Sequence, residues 1–447
     1  MPLQGFARRS GRLYCEDVSL EELAEQAGTP LYVYSATAIV ENYRAYAEAL
    51  AGLDHHIHVA VKANSSLGVL ARLAREGAGF DIVSGGELFR VLQAGGKARN
   101  VVFSGVGKTA EEMEYAIESG VGSFNCESEG ELRLLSGVAA KLDARARRPA
   151  REPDVDAETH PYIATGLREH KFGVPIDDAE ALYAEAARLP GLQVRGVSCH
   201  IGSQIFNLQA FVDALDRVLE LIDKLRAAGL DIRALDLGGG LGVGYRDGEA
   251  GPAIAAYGAR LREALAGRDL TLMLEPGRSI VGQAGVLLTR ALYRKDAGKK
   301  VFLIVDAAMN DLIRPALYQS HHEILPVVEE QRQAILADVV GPVCETGDFL
   351  ARDREMADVA PGDLLAVATA GATASCCRRI TTRVRAWLKC WWKARTGASF
   401  ASARRSKTSF AANTLNVALN ISRKPSHCWR GSVRLKPSPG SRARVLP

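Results

Sequence analysis

Between residues 57 and 275, short apolar runs recur along the chain, and each closes on a polar or glycine-rich turn. In order they are IHVAVKAN, GFDIVSGGE, NVVFSGVGK, GSFNCESEG, VRGVSCHIGSQ, ALDLGGGLG and TLMLEPGR. Helix-like segments such as SLGVLARLAREG, AEEMEYAIESG and LQAFVDALDRVLELIDKLRAAG lie between most of them. Strand and helix in alternation imply a parallel sheet covered by helices. Seven such strands point to a (β/α)8 barrel with one member hidden. The first four begin about 22 residues apart, and the next begins near Val194, roughly 70 residues after the fourth. A fifth strand is expected near 145–152. The sequence there, DARARRPAREPD, is a basic run with prolines and does not read as a buried strand. It is treated as a local defect.

The two ends of the chain read differently. LYVYS before the barrel and VLLTRALYRK, KVFLIVDAAMN and DLLAVATAG after it are strand-like with few helices between them. The expected division is residues 1–34 and 286–372 as a second, mainly β domain built from both ends, 35–285 as the barrel, and 373–447 as an aberrant basic tail. Charge supports the last boundary. Of 447 residues, 1–363 hold 39 Lys and Arg against 52 Asp and Glu, whereas 364–447 hold 17 Lys and Arg and no acid. No run of 18 apolar residues predicts a membrane span, and the N-terminus lacks the apolar core of a secretory signal. Eight scattered cysteines without paired metal-like spacing fit a reduced, cytoplasmic setting.

The chemistry-bearing residues share one position. Lys62, Ser84, His200, Gly238 to Gly240 and Glu275 all fall at or just beyond the end of an expected strand, the face on which barrel enzymes build their sites. Lys62 closes the alternation Ile57, Val59, Val61 and is read as the last residue of its strand. Partial desolvation there lowers an amine's pKa and makes it a nucleophile towards carbonyls. Gly238-Gly239-Gly240-Leu241-Gly242 can turn backbone N–H groups towards a phosphate. It is not a dinucleotide fingerprint, since Val243 stands where the third glycine belongs. Glu275-Pro276-Gly277-Arg278 offers a carboxylate for a protonated ring nitrogen and a guanidinium for a carboxylate or phosphate. His200 presents an imidazole face at the barrel mouth, and Arg314 and Tyr318 can bind a substrate carboxylate. Cys344-Glu345 places a thiol in a polar loop, a plausible proton donor. Taken singly, each has a bland reading: a lysine reaching for water, a tight strand exit, a structural ion pair, a solvated loop. His55, His56, His58 and the pair His321-His322 lack the companions a metal site needs, so no metal is expected.

A lysine for a Schiff base, a phosphate nest, a carboxylate for a pyridine nitrogen and a stacking imidazole are together what pyridoxal phosphate needs. The motifs AVKAN, CHIGSQ, GGGLG, EPGR, DAAMNDLIRPALY and GPVCETGD, spread from about Gly5 to Gly371, resemble those of the β/α-barrel amino-acid decarboxylases, and most closely the group acting on diaminopimelate. The resemblance implies pyridoxal 5'-phosphate as cofactor and the decarboxylation of meso-2,6-diaminopimelate to L-lysine and CO2, a step of lysine biosynthesis. It implies that Lys62 carries the cofactor and His200 stacks on its ring. Gly238, Gly239, Gly240 and the segment Glu275, Pro276, Gly277, Arg278 would hold its phosphate and ring. Arg278, Arg314, Tyr318 and Glu345 would hold the substrate. Cys344 would be the proton donor, entering from the other subunit of a homodimer with shared active sites. A small amino acid is then the partner, with no nucleic acid and no membrane.

The chain departs from the family pattern twice. Where the family has an apolar strand and an Arg-Val-Asn-Pro-like turn, this chain has DARARRPAREPDVD, with Arg151 in uncertain register. After Ala372, where the family has a tyrosine that binds the cofactor phosphate, Thr373 is followed by SCCRRITTRVRAWLKCWWKARTG. A shifted reading frame in a GC-rich gene would give such a segment. A genuine basic tail for nucleic acid or acidic membranes is the other reading. The break falls inside a motif and not at a domain boundary, which favours the shifted frame, with a mostly disordered tail and impaired activity. The alternatives in function are a related barrel decarboxylase acting on ornithine, arginine or carboxynorspermidine, and a non-catalytic relic.

Overall fold

The computed structural model describes residues 3–146, 176–298, 300–373, 388–392 and 402–403. Seven strands form one parallel sheet, in the spatial order Ser123–Phe124, Val101–Phe103, Gly79–Ile82, His55–Ala60, Thr271–Leu274, Ala234–Asp236, Gly196–Ser198. The first strand of the series thus pairs with the last, as the closure of a barrel requires. The strand expected near 145–152 lies outside the described residues, so seven members of the expected eight are described.

The helices that cover this sheet show why they lie where they do. In Leu208–Ala227, Phe211, Ala214, Leu215, Val218, Leu219, Ile222 and Leu225 are buried, a spacing of three and four that gives one apolar face. Asn207 caps its start by accepting the Gln209 N–H at 3.0 Å. Ala110–Ser119 opens on a reciprocal capping box between Thr109 and Glu112 and closes at Gly120 in the left-handed region.

The second sheet is organised by one long strand, Gly285–Ala297. Its first half pairs with Leu31–Ser35 and with Leu364–Val367, and its second half with Lys300–Val305. Ala334–Val340 and Phe349–Ala357 extend the sheet beyond Lys300–Val305. Both chain ends therefore build this mainly β unit, as the sequence predicts. Leu31–Ser35 is buried throughout, without the alternation of a one-sided strand. Tyr32 and Tyr34 enter the large core continuous with the barrel, while Leu31 and Val33 enter a smaller core with Phe6, Leu13, Cys15 and Leu23. Successive side chains point to opposite faces, and both faces of this strand are covered.

Two short segments of the tail expected to be mostly disordered are among the described residues. Leu388–Trp392 runs parallel to Leu31–Ser35, and Ser402–Ala403 pairs with Leu388–Trp392. A composition without acids does not preclude backbone pairing, because ladder hydrogen bonds are blind to side-chain charge. The remainder of 374–447 lies outside the described residues.

Candidate active site

The strand carrying Lys62 ends at Ala60, two residues earlier than the alternation implies. Val61 still donates its N–H to Asp81 O at 2.8 Å, and Ala63 donates back to Ala60 O, so the chain turns at Lys62. Lys62 therefore stands on the rim of the sheet. Its Nζ lies 2.5 Å from Asp81 Oδ2. Asp81 is fully buried in the neighbouring strand, and its other oxygen has no hydrogen-bond partner among the described residues. The expected fall in the Lys62 pKa is overturned. Burial does pull it down, but Asp81, Glu275 and Glu87 together outweigh burial and raise it above the ordinary lysine value. Although 44 % of the side chain remains exposed, the amine rests charged within a ring of acids.

Beneath it lie two further carboxyls. Glu275 and Asp236 are buried and hydrogen-bonded to each other. Ser104 donates to Glu275 Oε1 at 3.3 Å, Asn125 Nδ2 to Asp236 Oδ2 at 3.4 Å, and the Gly238 N–H to Asp236 Oδ1 at 2.8 Å. Burial first, then Asp236 and Asp81, push Glu275 well above the usual carboxylate range. Asp236 is pushed up to about 6, chiefly by burial and against the Gly238 N–H. An unfolded carboxyl ionises near 4. Between pH 4 and 6 the folded pair therefore binds more protons than the unfolded chain, and stability falls as pH rises through that window. Asp236→Asn removes one partner while keeping an oxygen for Gly238. The melting temperature of the cofactor-free variant, relative to that of the parent, should rise between pH 4 and 6.5. A difference that does not change with pH would refute this account.

The glycine run stands against this pair. Gly238 and Gly240 have φ of 60° and 106°. A Cβ on Gly239 would lie 2.3 Å from the Glu275 carbonyl oxygen, and one on Gly240 would lie 2.3 Å from that of Gly202. Only a bare backbone lets the strand ends of Ala234–Asp236 and Thr271–Leu274 approach this closely. The Gly239 N–H reaches His200 Nδ1 at 3.3 Å, which makes Nδ1 the acceptor and leaves the ring proton on Nε2. His200 itself is exposed at the rim. Ser84 sits at the start of Gly85–Gln93 with its hydroxyl accepting the Glu87 N–H at 3.2 Å, the bond of a helix cap.

Arg278 and Arg314 converge on one tyrosine. Arg278 Nη1 donates to Tyr245 Oη at 2.6 Å, and the Arg314 guanidinium lies 4.4 Å from the centre of the same ring. Arg314 Nη1 also meets His322 Nε2 at 3.1 Å. Among the described residues, neither arginine pairs with a carboxylate. Tyr318 ends the short helix Arg314–Tyr318 and is exposed, close enough to bear on the charge of Arg314. Cys344 and Glu345 lie exposed in the loop from Val340 to Phe349. That loop is tied down by Asp348, whose carboxylate accepts the Met309 and Val343 N–H groups at 2.6 Å. No hydrogen bond or ion pair among the described residues joins Cys344 or Glu345 to Lys62. The far end of the second sheet also reaches the site. Thr373 N–H donates to Ala63 O at 2.7 Å, and Asn64 Nδ2 donates to Gly371 O at 2.9 Å.

Asp81, Asp236 and Tyr245 escaped the sequence reading, and His322 figured there only as a candidate metal ligand. For the two aspartates a signal was present: each is a lone acid inside an apolar strand run, GFDI and ALDL. Tyr245 and His322 carry no such mark. Among the described residues no cluster of His, Cys, Asp and Glu is arranged to hold a metal, and no helix is long and apolar enough to cross a membrane.

A lysine on a barrel rim, over a buried carboxyl pair and beside a glycine cradle, defines a pyridoxal-phosphate type of site. The residues fit that group. The second oxygen of Asp81 and the Nε of Arg278 are buried without partners among the described residues, and the cradle tolerates no Cβ. The family model described as pyridoxal-dependent decarboxylase, pyridoxal binding domain, matches residues 36–282. A diaminopimelate decarboxylase of Pseudomonas aeruginosa is 59% identical over 82% of this chain and 88% of its own length. The crystal structure of diaminopimelate decarboxylase from Helicobacter pylori complexed with L-lysine is 36% identical, with a TM-score of 0.77 over 85% of this chain and 95% of that one. That of the M. jannaschii enzyme in co-complex with L-lysine is 30% identical, with a TM-score of 0.82 over 90% and 95%. The chain belongs to the diaminopimelate decarboxylase family of pyridoxal-dependent decarboxylases.

Proposed function

We propose that this chain removes the carboxylate from one end of meso-2,6-diaminopimelate, releasing CO2 and L-lysine, with pyridoxal phosphate held at Lys62. The observation that carries the substrate assignment is the pair Arg278 and Arg314, converging on Tyr245 with no carboxylate partner among the described residues. Such a pair suits a substrate whose far end carries a carboxylate, which diaminopimelate has and ornithine, once bound through its α-amine, does not.

When bound, the cofactor supplies a ring that accepts the electron pair left by CO2. The chain's residues do the rest. Lys62 holds the cofactor, and the proton its ammonium sheds has Asp81 Oδ2 at 2.5 Å to go to. Glu275, steadied by Asp236 and Ser104, would hold the ring nitrogen, His200 would stack on the ring, and the backbone of Gly238 to Gly240 with Gly277 and Arg278 would receive the phosphate. Arg278, Arg314, Tyr318 and Glu345 hold the far end of the substrate. Cys344 returns a proton to the carbon that has lost CO2. The test is competition between substrates: kcat/KM for meso-diaminopimelate should exceed that for ornithine and arginine by more than about a hundredfold. A preference for either of those would overturn the assignment.

Cys344 lies in an exposed loop with no bond to Lys62 in its own chain. This supports a site completed by a second copy in a two-fold homodimer, and the free cysteines Cys15, Cys199 and Cys344 support a reducing, cytoplasmic setting. Mixing Lys62→Ala and Cys344→Ala proteins, each inactive alone, should then restore about a quarter of the parent's activity, because half the random dimers carry one intact site of two. Failure of an active parent's variants to complement would make each subunit self-contained.

A further inference from the structure

The surroundings of Arg314 contain a second feature, which rests on the functional reading above and deepens it. His322 is fully buried. Its Nδ1 lies 2.8 Å from the carbonyl oxygen of Ala368. A carbonyl can only accept, so Nδ1 carries the proton. Nε2 is then a bare lone pair, and it faces Arg314 Nη1 at 3.1 Å as an acceptor. The Ala368 carbonyl therefore fixes which ring nitrogen serves the arginine. Among the described residues, the side chains recorded against this imidazole are those of Arg314, Arg278, His321 and Tyr245, and none of these four is an acid. Burial, with the nearby arginines and His321, lowers the His322 pKa to about 3, so the ring stays neutral in any ordinary buffer.

Tyr245 completes the frame. Its ring packs edge-on against His322 at 5.0 Å, lies under the Arg314 guanidinium at 4.4 Å, and offers its hydroxyl to Arg278 at 2.6 Å. A buried arginine is ordinarily held by a carboxylate, which fixes its geometry and cancels its charge. Among the described residues, the buried Arg314 and the half-buried Arg278 are both held by neutral groups.

We propose that His322 and Tyr245 are positioning and specificity-determining residues, which hold Arg314 and Arg278 in place without neutralising them and so reserve their full charge for the carboxylate at the far end of the substrate. A carboxylate at position 322 would position Arg314 equally well but occupy its charge.

The experiment uses the full chain saturated with pyridoxal phosphate and compares the binding of L-lysine with that of cadaverine, the same diamine skeleton without a carboxylate. The parent should bind L-lysine at least about tenfold more tightly. His322→Gln, a neutral acceptor, should keep that preference within about threefold. His322→Glu should abolish the preference by weakening L-lysine at least about tenfold while leaving cadaverine within about threefold. In turnover, the same variant should raise KM with kcat nearly kept. Retention of the preference in His322→Glu would overturn the proposal. So would equal weakening of both ligands in His322→Gln and His322→Glu, the mark of a merely structural residue. A parent that shows no preference, or binds neither ligand, would overturn the functional reading along with the inference.

Discussion

Lys62→Ala is expected to abolish the visible absorption band of the cofactor-loaded protein and to lower decarboxylation by about a thousandfold or more. The amine stands on the rim between Asp81 and the carboxyl pair, and among the described residues no second lysine takes part in the cluster. Losing a covalent or proton-transferring group typically costs two to four orders of magnitude or more. Removing the ammonium also leaves the fully buried Asp81 without its counter-charge, so the alanine variant should be less stable. Lys62→Arg separates these effects, because it keeps a positive charge beside Asp81 but cannot serve as the nucleophile. It should fold nearly as well as the parent and lack the band just as completely. A band that persists in either variant would remove Lys62 from its assigned role.

The second large effect is expected at the join of body and tail. The last segment before the compositional break runs directly under the site. Gly371 O accepts from Asn64, and the Thr373 N–H binds Ala63 O, one residue beyond Lys62. A Cβ on Gly371 would lie 1.7 Å from the Val281 carbonyl oxygen, so the approach is fixed by close packing. The resembling family carries at the position of Thr373 a tyrosine that grips the cofactor phosphate. A hydrogen bond to a charged group is worth about 1.5–3 kcal/mol, so its loss should weaken cofactor binding by roughly ten- to a hundredfold. The chain as it stands should therefore bind pyridoxal phosphate weakly and turn over slowly. A chain carrying family-like sequence after Ala372 and in 140–152 should regain both properties, measured as cofactor dissociation constant and kcat. Full activity and tight cofactor binding by the unaltered chain would refute the shifted-frame reading. The nucleotide sequence at codons 140–152 and 370–375 offers an independent check through single-base insertions or deletions.

Much of the architecture is legible because it is written in local periodicities. Strands such as GFDI and helices such as Leu208–Ala227 announce themselves by apolar runs and by three-four spacing, and both follow from burial of one face or both. The rim positions of Lys62, His200, Gly238 to Gly240 and Glu275 follow from the same pattern, since a strand end in a β/α sheet is a site position wherever it falls. The exact end of the Lys62 strand was not legible. Alternation continues through Val61, and only the turn closed by Ala63 N–H to Ala60 O decides where pairing stops.

What the sequence determined alone was the barrel order, the β unit made from both chain ends, the set of residues at the strand ends and the family of the chemistry, because each is carried by a short contiguous motif. Only the tertiary structure decided the electrostatics. The charge state of Lys62 depends on Asp81 from the next strand and Glu275 from the last barrel strand, and the Asp236–Glu275 pair joins strands distant in sequence. Arg278, Tyr245, Arg314 and His322 likewise come together across the barrel and the β unit. Coulomb and desolvation energies depend on distance through space and on burial, and neither quantity is a property of neighbours along the chain.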